Sequence, residues 1–141
     1  MLLTVVSADA FAQMVPVNKR FGKVSKEEVE LKEYAADTSA SALMLYEETY
    51  MSLNFDAGGG FVLNTKKHQR IKILKEEGLH WGDVEMIYYF APVLRENIYK
   101  IDVVTYNIVD GKVVETKMPN KYIFDEEFTE NYRKMSFSAQ E

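Results

Sequence analysis

Two histidines, His68 and His80, are the side chains in this sequence that would most readily bind a metal ion. Their spacing matches no established pattern of metal ligands. His68 also falls on the same face of a predicted strand as Lys66 and Arg70, whose positive charges would repel a cation. The sequence therefore predicts no metal site.

A basic stretch from Asn64 to Lys75 holds five lysine and arginine side chains and no acid. Three of them share one face of the predicted strand: Lys66, Arg70 and Lys72. This face is a candidate patch for an anionic polymer. The alternative is that the same side chains pair across the hairpin with Glu48 and Asp56, as neighbouring strands commonly do.

Three aromatic residues, Trp81, Tyr88 and Tyr89, are candidates for a platform on which a sugar ring could stack. The alternative is that they pack in the core, since a chain with 13% aromatic residues must bury many of them.

The residues offer little for catalysis. No cysteine is present, no Gly-x-Ser-x-Gly motif occurs, and no Ser, His and Asp follow a triad order. Glu76 and Glu77 with Asp83 and Glu85 could form a carboxylate pair, but no apolar spacing beside them would raise a pKa. The glycines at 58–60 lack the Lys and Ser/Thr of a phosphate loop. We therefore predict a protein that is not an enzyme and binds no cofactor.

Composition limits the class of protein further. The chain has 141 residues, 47% hydrophobic and 28% charged, which suits one globular domain. Its net charge of −5 argues against a nucleic-acid partner, because phosphate binding requires a basic surface. No apolar run approaches the roughly 20 residues of a membrane-spanning helix.

The N-terminal residues differ from the rest of the chain. Ala10-Phe11-Ala12 fits the pattern that signal peptidase cleaves, which would make Gln13 the first mature residue. The basic start of a signal peptide is missing, so an ordinary N-terminal strand is the alternative. We predict a signal-peptide remnant over 1–12, a linker over 13–20, and a single β-sandwich module over 21–141 in a periplasmic or secreted protein. The module is either complete or a fragment that lacks C-terminal strands.

The rest of the sequence predicts strands more than helices. Ser25 and Glu28 indicate a capping box at a short helix that continues through Tyr34, and Asp37 could cap a second turn. Apolar residues at 43, 45, 51, 53 and 55 alternate with polar ones, which predicts a half-buried strand that pairs with a second strand over 61–74. Residues 78–82 are predicted to form a loop.

Further strands are predicted over 84–90, 97–109, 112–118, 122–124 and 132–137. Asp110-Gly111 is the strongest hairpin signal, and Asp125 to Glu127 are assigned to an acidic turn. The predicted fold is all-β: an antiparallel β-sandwich or open barrel of long hairpins, with one or two short helical turns near the N-terminus.

Three stretches together resemble a bacterial family: FGKVSKEEVELKEYAADTSASALMLYE, QRIKILKEEGLHWGDVEMIYY and TYNIVDGKVVETKMP. The family is the domain of unknown function that precedes transglutaminase-like domains in exported proteins. The resemblance covers about residues 21–137 and implies an all-β sandwich with no catalytic residues of its own.

Two functions are therefore expected. The first is a non-catalytic β-module of an exported transglutaminase- or protease-like protein, acting as scaffold or partner-binding surface. The second is a stand-alone module that binds a glycan or peptide of the cell envelope. The chain stops near where the family's module still has strands to come, so the strand at 132–137 is predicted to be an exposed edge. Through this edge the chain would self-associate, or it would need a downstream segment to be soluble.

Overall fold

The computed structural model describes residues 16–58 and 60–139. In chain order the elements of this part are α1 (Lys26–Glu30), β1 (Ala42–Phe55), β2 (Phe61–Ile73), a first 3₁₀ helix (Glu76–Gly82), β3 (Asp83–Tyr89), β4 (Val104–Val109), β5 (Lys112–Lys117), a second 3₁₀ helix (Asn120–Tyr122), β6 (Phe124–Thr129) and β7 (Tyr132–Ser138). Of the described residues, 51% lie in strands and 12% in helices, and the strand pairings are antiparallel. The all-β class is therefore confirmed.

The strands form three sheets. β1 pairs with β2, β4 pairs with β5, and the third sheet has the order β3-β7-β6. The helix α1 contacts β4, and the first 3₁₀ helix contacts β1, β2 and β3. The short N-terminal and 3₁₀ segments therefore connect the sheets. None of the helices in the described part of the chain has the length and apolar character needed to cross a bilayer.

The helix α1 begins as the capping box predicts. The Ser25 hydroxyl accepts a hydrogen bond from the Glu28 backbone at 3.2 Å, and the Ser25 backbone donates to the Glu28 carboxylate at 2.6 Å. The helix ends at Glu30 rather than Tyr34, and Asp37 caps a separate turn by accepting from the Ser39 backbone at 3.0 Å.

The long hairpin of β1 and β2 matches the predicted bounds within one residue, but its faces differ from the prediction. The register shifts between Met44 and Tyr46, so that Leu45 has no partner in β2. A bulge of this kind inserts one extra residue and exchanges the faces on either side. As a result, Leu43 shares a face with Tyr46 rather than with the apolar residues at 51–55.

Three further predictions are corrected. The loop predicted over 78–82 is the first 3₁₀ helix, and the strand predicted over 97–109 begins only at Val104. The apolar residues are odd-numbered between 99 and 103 and even-numbered between 104 and 108. Since only the second set lies in β4, the two sets need not share one alternation. The acidic residues Asp125 to Glu127 lie inside β6, and the turn comes later, at Glu130 and Asn131.

The prediction that the strand at 132–137 is an exposed edge is also wrong. β7 lies between β3 and β6 and is hydrogen-bonded on both sides. The prediction considered only the residues that follow the strand, whereas β3 pairs with β7 from far earlier in the chain. Self-association through β7 is therefore contradicted.

The described part of the chain has little core. Tyr88, at 9% exposed, is the one hydrophobic side chain classed as buried there. The chain exposes 11527 Å², whereas a folded monomer of 16.3 kDa exposes about 7,500 Å². Even an upper limit of roughly 2,900 Å² for the 18 residues outside the described part (1–15, 59, 140 and 141) leaves the total about 1,100 Å² above this folded value. This fold leaves an unusually large surface uncovered.

The hairpin of β4 and β5 has the predicted turn. Asp110 and Gly111 both have positive φ, at 50° and 73°, as a two-residue type I′ turn requires. We expect Gly111→Val to lower the free energy of unfolding by about 1–3 kcal/mol, because a β-branched residue is strained in the left-handed region. Chemical denaturation would measure this, and an unchanged midpoint would contradict it.

Candidate interaction surface

The distal half of the β1–β2 hairpin has one apolar face. Directly opposed residues lie on the same side of a sheet, and on this side the last two opposed pairs before the turn are Leu53 with Leu63 and Phe55 with Phe61. Met51 lies on the same face, one row earlier, opposite Thr65. We call Met51, Leu53, Phe55, Phe61 and Leu63 the tip face.

The tip face is exposed to solvent. Its five side chains are between 58% and 73% exposed, and none of them is charged. The Phe55 and Phe61 rings meet edge to face with centroids 5.4 Å apart, so the end of the face is ordered by an aromatic pair. These side chains amount to on the order of 600 Å² of apolar surface, at the upper end for a typical monomer.

The other face of the hairpin is more polar. Opposed pairs there are Tyr50 with Lys66, Ser52 with Asn64 and Asn54 with Val62, so that Val62 is its one aliphatic side chain in the distal half. Tyr50 is 64% exposed, the same fraction as Leu53 on the tip face. The hairpin is therefore amphipathic in its distal half, with the apolar side uncovered.

The proximal half of the hairpin is held by α1. Arg70 donates a hydrogen bond to the Glu28 carboxylate at 2.8 Å and to the Arg20 carbonyl at 3.1 Å. Lys72 donates to the Val29 carbonyl at 2.6 Å, and burial lowers the pKa of its ammonium group. Glu28 is 1% exposed, so the ion pair with Arg70 lies inside the protein.

These contacts bear directly on the predicted anion patch. Lys66, Arg70 and Lys72 share one face, as their spacing indicates. Arg70 and Lys72 are engaged by α1, however, so they do not present free cations at the surface. The expected alternative partner, Glu48, is not the residue that pairs with Arg70; Glu28 is. Anion binding at this face stays a prediction, now with fewer available charges.

His68 lies on the same face as Lys66, Arg70 and Lys72. Its ring contacts two aromatic rings, with centroid distances of 5.6 Å to Phe21 and 5.1 Å to Tyr46. Burial lowers the pKa of its imidazole, and the positive charge of Arg70 lowers it further. Both effects disfavour the cationic form. In the described part of the chain, no group of three or more His, Asp or Glu residues could hold a metal ion.

The three predicted stacking residues do not form one platform. Tyr88 and Tyr89 are consecutive in β3 and point to opposite faces. Tyr88 is buried and donates its hydroxyl hydrogen bond to Asp125 at 2.8 Å, while the Tyr89 ring packs against Tyr132 with centroids 5.4 Å apart. Trp81 lies in the first 3₁₀ helix and is 52% exposed. Sugar stacking would therefore depend on Trp81 alone.

Tyr88 belongs to a polar cluster that links the strands of the third sheet. Arg133 donates to the same Asp125 carboxylate at 2.9 Å, and its guanidinium lies over the Phe90 ring at 5.6 Å. Burial and the Asp125 hydrogen bond raise the pKa of the Tyr88 hydroxyl. Each group already has a partner within the cluster, so the arrangement stabilises the sheet.

The contacts of Asp83 and Glu85 do not favour the carboxylate pair against which the sequence already argues. Asp83 accepts a hydrogen bond from the Ser138 hydroxyl at 2.6 Å, and Glu85 pairs with Lys134 at 3.4 Å. These contacts join β3 to β7.

A shallow cleft of about 430 Å³ lies between the segment before α1 and the β4–β5 hairpin. Tyr106 lines it, and its hydroxyl oxygen is buried without a hydrogen-bond partner in the described part of the chain. Burial, with a smaller contribution from the charge of Glu115, raises the pKa of this hydroxyl. A neutral hydroxyl there could donate one hydrogen bond to a ligand, and one donor does not identify a class of ligand or a reaction.

The sequence did not indicate the tip face as a functional surface. The alternation at Met51, Leu53 and Phe55 was visible, but it predicted burial within the fold. Nothing in this alternation distinguishes a strand at an interface from a strand in the core.

Comparisons with known proteins found no match to a protein-family model, to a curated protein or to a solved structure. A proposed function therefore rests on the geometry of the described residues together with the features of the sequence.

Proposed function

We propose that this chain is a non-catalytic β-module of an exported transglutaminase- or protease-like protein, serving as a scaffold whose tip face binds a partner protein. The observation that carries the proposal is the tip face: five large apolar side chains, each more than half exposed, on one side of a hairpin. Contiguous apolar surface without charge is typical of the centre of a protein–protein contact.

The non-catalytic part of the proposal rests on the sequence, which has no cysteine and no triad order. Purified chain should show no transglutaminase, amidase or protease turnover, and detectable turnover would contradict this part.

Export and the family context rest on two sequence features. One is Ala10-Phe11-Ala12, whose two alanines match the small-x-small pattern of a signal-peptidase site. These residues lie outside the described part of the chain. The other is the resemblance over about residues 21–137, which places such modules before a transglutaminase-like domain.

Photo-crosslinking in the native cell tests the partner-binding function. Benzoylphenylalanine replaces Phe55 on the tip face, and irradiation should give a crosslinked product of higher mass. The same label at Tyr50 is the matched control, because Tyr50 is similarly exposed but lies on the opposite face. We expect a product from position 55 and little from position 50.

The mass of the product identifies the class of partner. A product of twice the chain mass indicates a second copy, and any other mass indicates a different protein. Equal labelling at both positions, or no product at position 55, would contradict the proposal.

A second candidate function, glycan binding, is favoured by one observation. Trp81 is half exposed, and its ring lies 5.6 Å from that of His80 on the first 3₁₀ helix. Calorimetric titration with cell-envelope glycans would detect binding, and Trp81→Ala should abolish it. No heat with the unmodified chain would remove this candidate.

A further inference from the structure

We infer that the partner of the tip face is a second copy of this chain, so that two hairpins pack face to face as a two-fold dimer. The inference rests on the proposed function, since it names the partner of the same surface. A dimer would also hold two copies of any domain attached to the module.

The area of the tip face fits a dimer. Each copy contributes on the order of 600 Å², so the pair would bury about 1,200 Å², the lower limit for a specific interface. Sheets that pack face to face lie about 10 Å apart, a distance that interdigitating Leu and Phe side chains fill. The aromatic pair of Phe55 and Phe61 is already formed in one copy, so less ordering is required on association.

The register of the hairpin defines the arrangement. Rows of opposed residues are about 7 Å apart along the strands, and the Leu53–Leu63 row is the middle one of the apolar face. A two-fold axis through this row, perpendicular to the strands, places Leu53 over Leu53 of the second copy. The Phe55–Phe61 row of each copy then covers Met51 and Thr65 of the other, as a two-fold contact requires.

Charge supports the same arrangement. The chain carries a net charge of −5, so two copies repel each other, and the repulsion is smaller when they meet on an uncharged surface such as the tip face. Beyond the apolar rows, the turn that carries Asp56 would face the row of Thr49 and Lys67 in the second copy. Lys67 is paired with Glu47 at 3.6 Å and about half exposed, so its ammonium group can also reach an opposing carboxylate.

Sedimentation velocity of the full chain over a range of concentrations tests the inference. We expect a reversible monomer–dimer equilibrium. Leu53→Glu should weaken it by about 100-fold or more, because two carboxylates would be buried opposite each other without partners. Tyr50→Glu is the matched control, with the same exposed fraction on the opposite face, and should leave the equilibrium unchanged.

Thiol crosslinking tests the symmetry separately. The sequence contains no cysteine, so each introduced thiol is unique. Leu53→Cys should give a covalent dimer with a short bis-maleimide at low protein concentration, and Tyr50→Cys should not. Circular dichroism of each variant confirms that it is folded before its result is used.

A compensating pair of substitutions tests the charge contact. Asp56→Lys alone and Lys67→Glu alone should each weaken the dimer, and the double variant should recover most of the loss. A double variant no better than the worse single one would contradict the two-fold arrangement.

The outcomes separate this inference from the proposed function. A monomer at all concentrations, with no crosslink from Leu53→Cys, overturns the inference. If the tip face still crosslinks in the cell to a protein of different mass, the proposed function stands with another partner. If neither experiment gives a product from the tip face, both fail.

Discussion

Replacing Arg70 by methionine is expected to lower the free energy of unfolding by about 3–5 kcal/mol. Arg70 neutralises Glu28, which is 1% exposed and lies 2.8 Å from the guanidinium. Methionine fills a similar volume but leaves the Glu28 carboxylate buried without a counterion. The uncompensated buried charge accounts for most of the expected loss of stability. The variant would lose a substantial share of the roughly 5–15 kcal/mol by which domains are stable.

A matched control lies on the same strand. Lys67 pairs with Glu47 at 3.6 Å, but both side chains are about half exposed, so Lys67→Met should cost less than about 1 kcal/mol. The double variant Glu28→Met with Arg70→Met should recover much of the loss, because no unpaired charge remains. Urea denaturation followed by circular dichroism measures all three, and equal losses for Arg70→Met and Lys67→Met would contradict the argument.

The sequence predicted elements whose causes are local. The capping box of Ser25 and Glu28 depends on residues three apart, and the Asp110-Gly111 turn depends on two adjacent residues that tolerate positive φ. The β1–β2 hairpin follows from period-two alternation on both sides of a glycine-rich turn. In each of these elements the necessary information lies within a few positions.

Features that depend on distant pairing were not predictable in this way. The bulge at Leu45 is set by how β1 aligns with β2, and nothing in the local alternation marks it. The position of β7 between β3 and β6 depends on a partner some 50 residues earlier. Sequence alternation identifies strands but does not determine their neighbours.

The candidate site was predictable only in part. Alternation located the apolar residues at 51, 53 and 55 correctly on one face, and hairpin pairing added Phe61 and Leu63. Whether another layer of the same chain covers that face is a property of the whole fold. The apolar pattern is the same for a core strand and for an interface, so the structure was needed to show the face uncovered.

Replacing Gly78 by alanine is the second large expected effect. A Cβ at this position would overlap the Ser41 carbonyl oxygen and would lie 2.8 Å from the carbonyl carbon, closer than non-bonded atoms approach. That oxygen accepts hydrogen bonds from the backbone of Leu74 at 2.8 Å and of Lys75 at 3.1 Å, which close the base of the long hairpin. The clash is therefore with backbone that cannot move without breaking these bonds.

We expect Gly78→Ala to lower the free energy of unfolding by about 3 kcal/mol, the upper part of the range for overpacking. Gly60→Ala is the control, because nothing lies within 4 Å of its added Cβ. Alanine has fewer backbone conformations than glycine in the unfolded chain, so the free energy of unfolding should stay unchanged or rise by up to about 1 kcal/mol. Since the first 3₁₀ helix joins the hairpin to the third sheet, hydrogen exchange in Gly78→Ala should rise at Leu74 and Lys75 before it rises in β7. Equal melting temperatures for the two alanine variants would show that the Ser41 carbonyl does not restrict position 78.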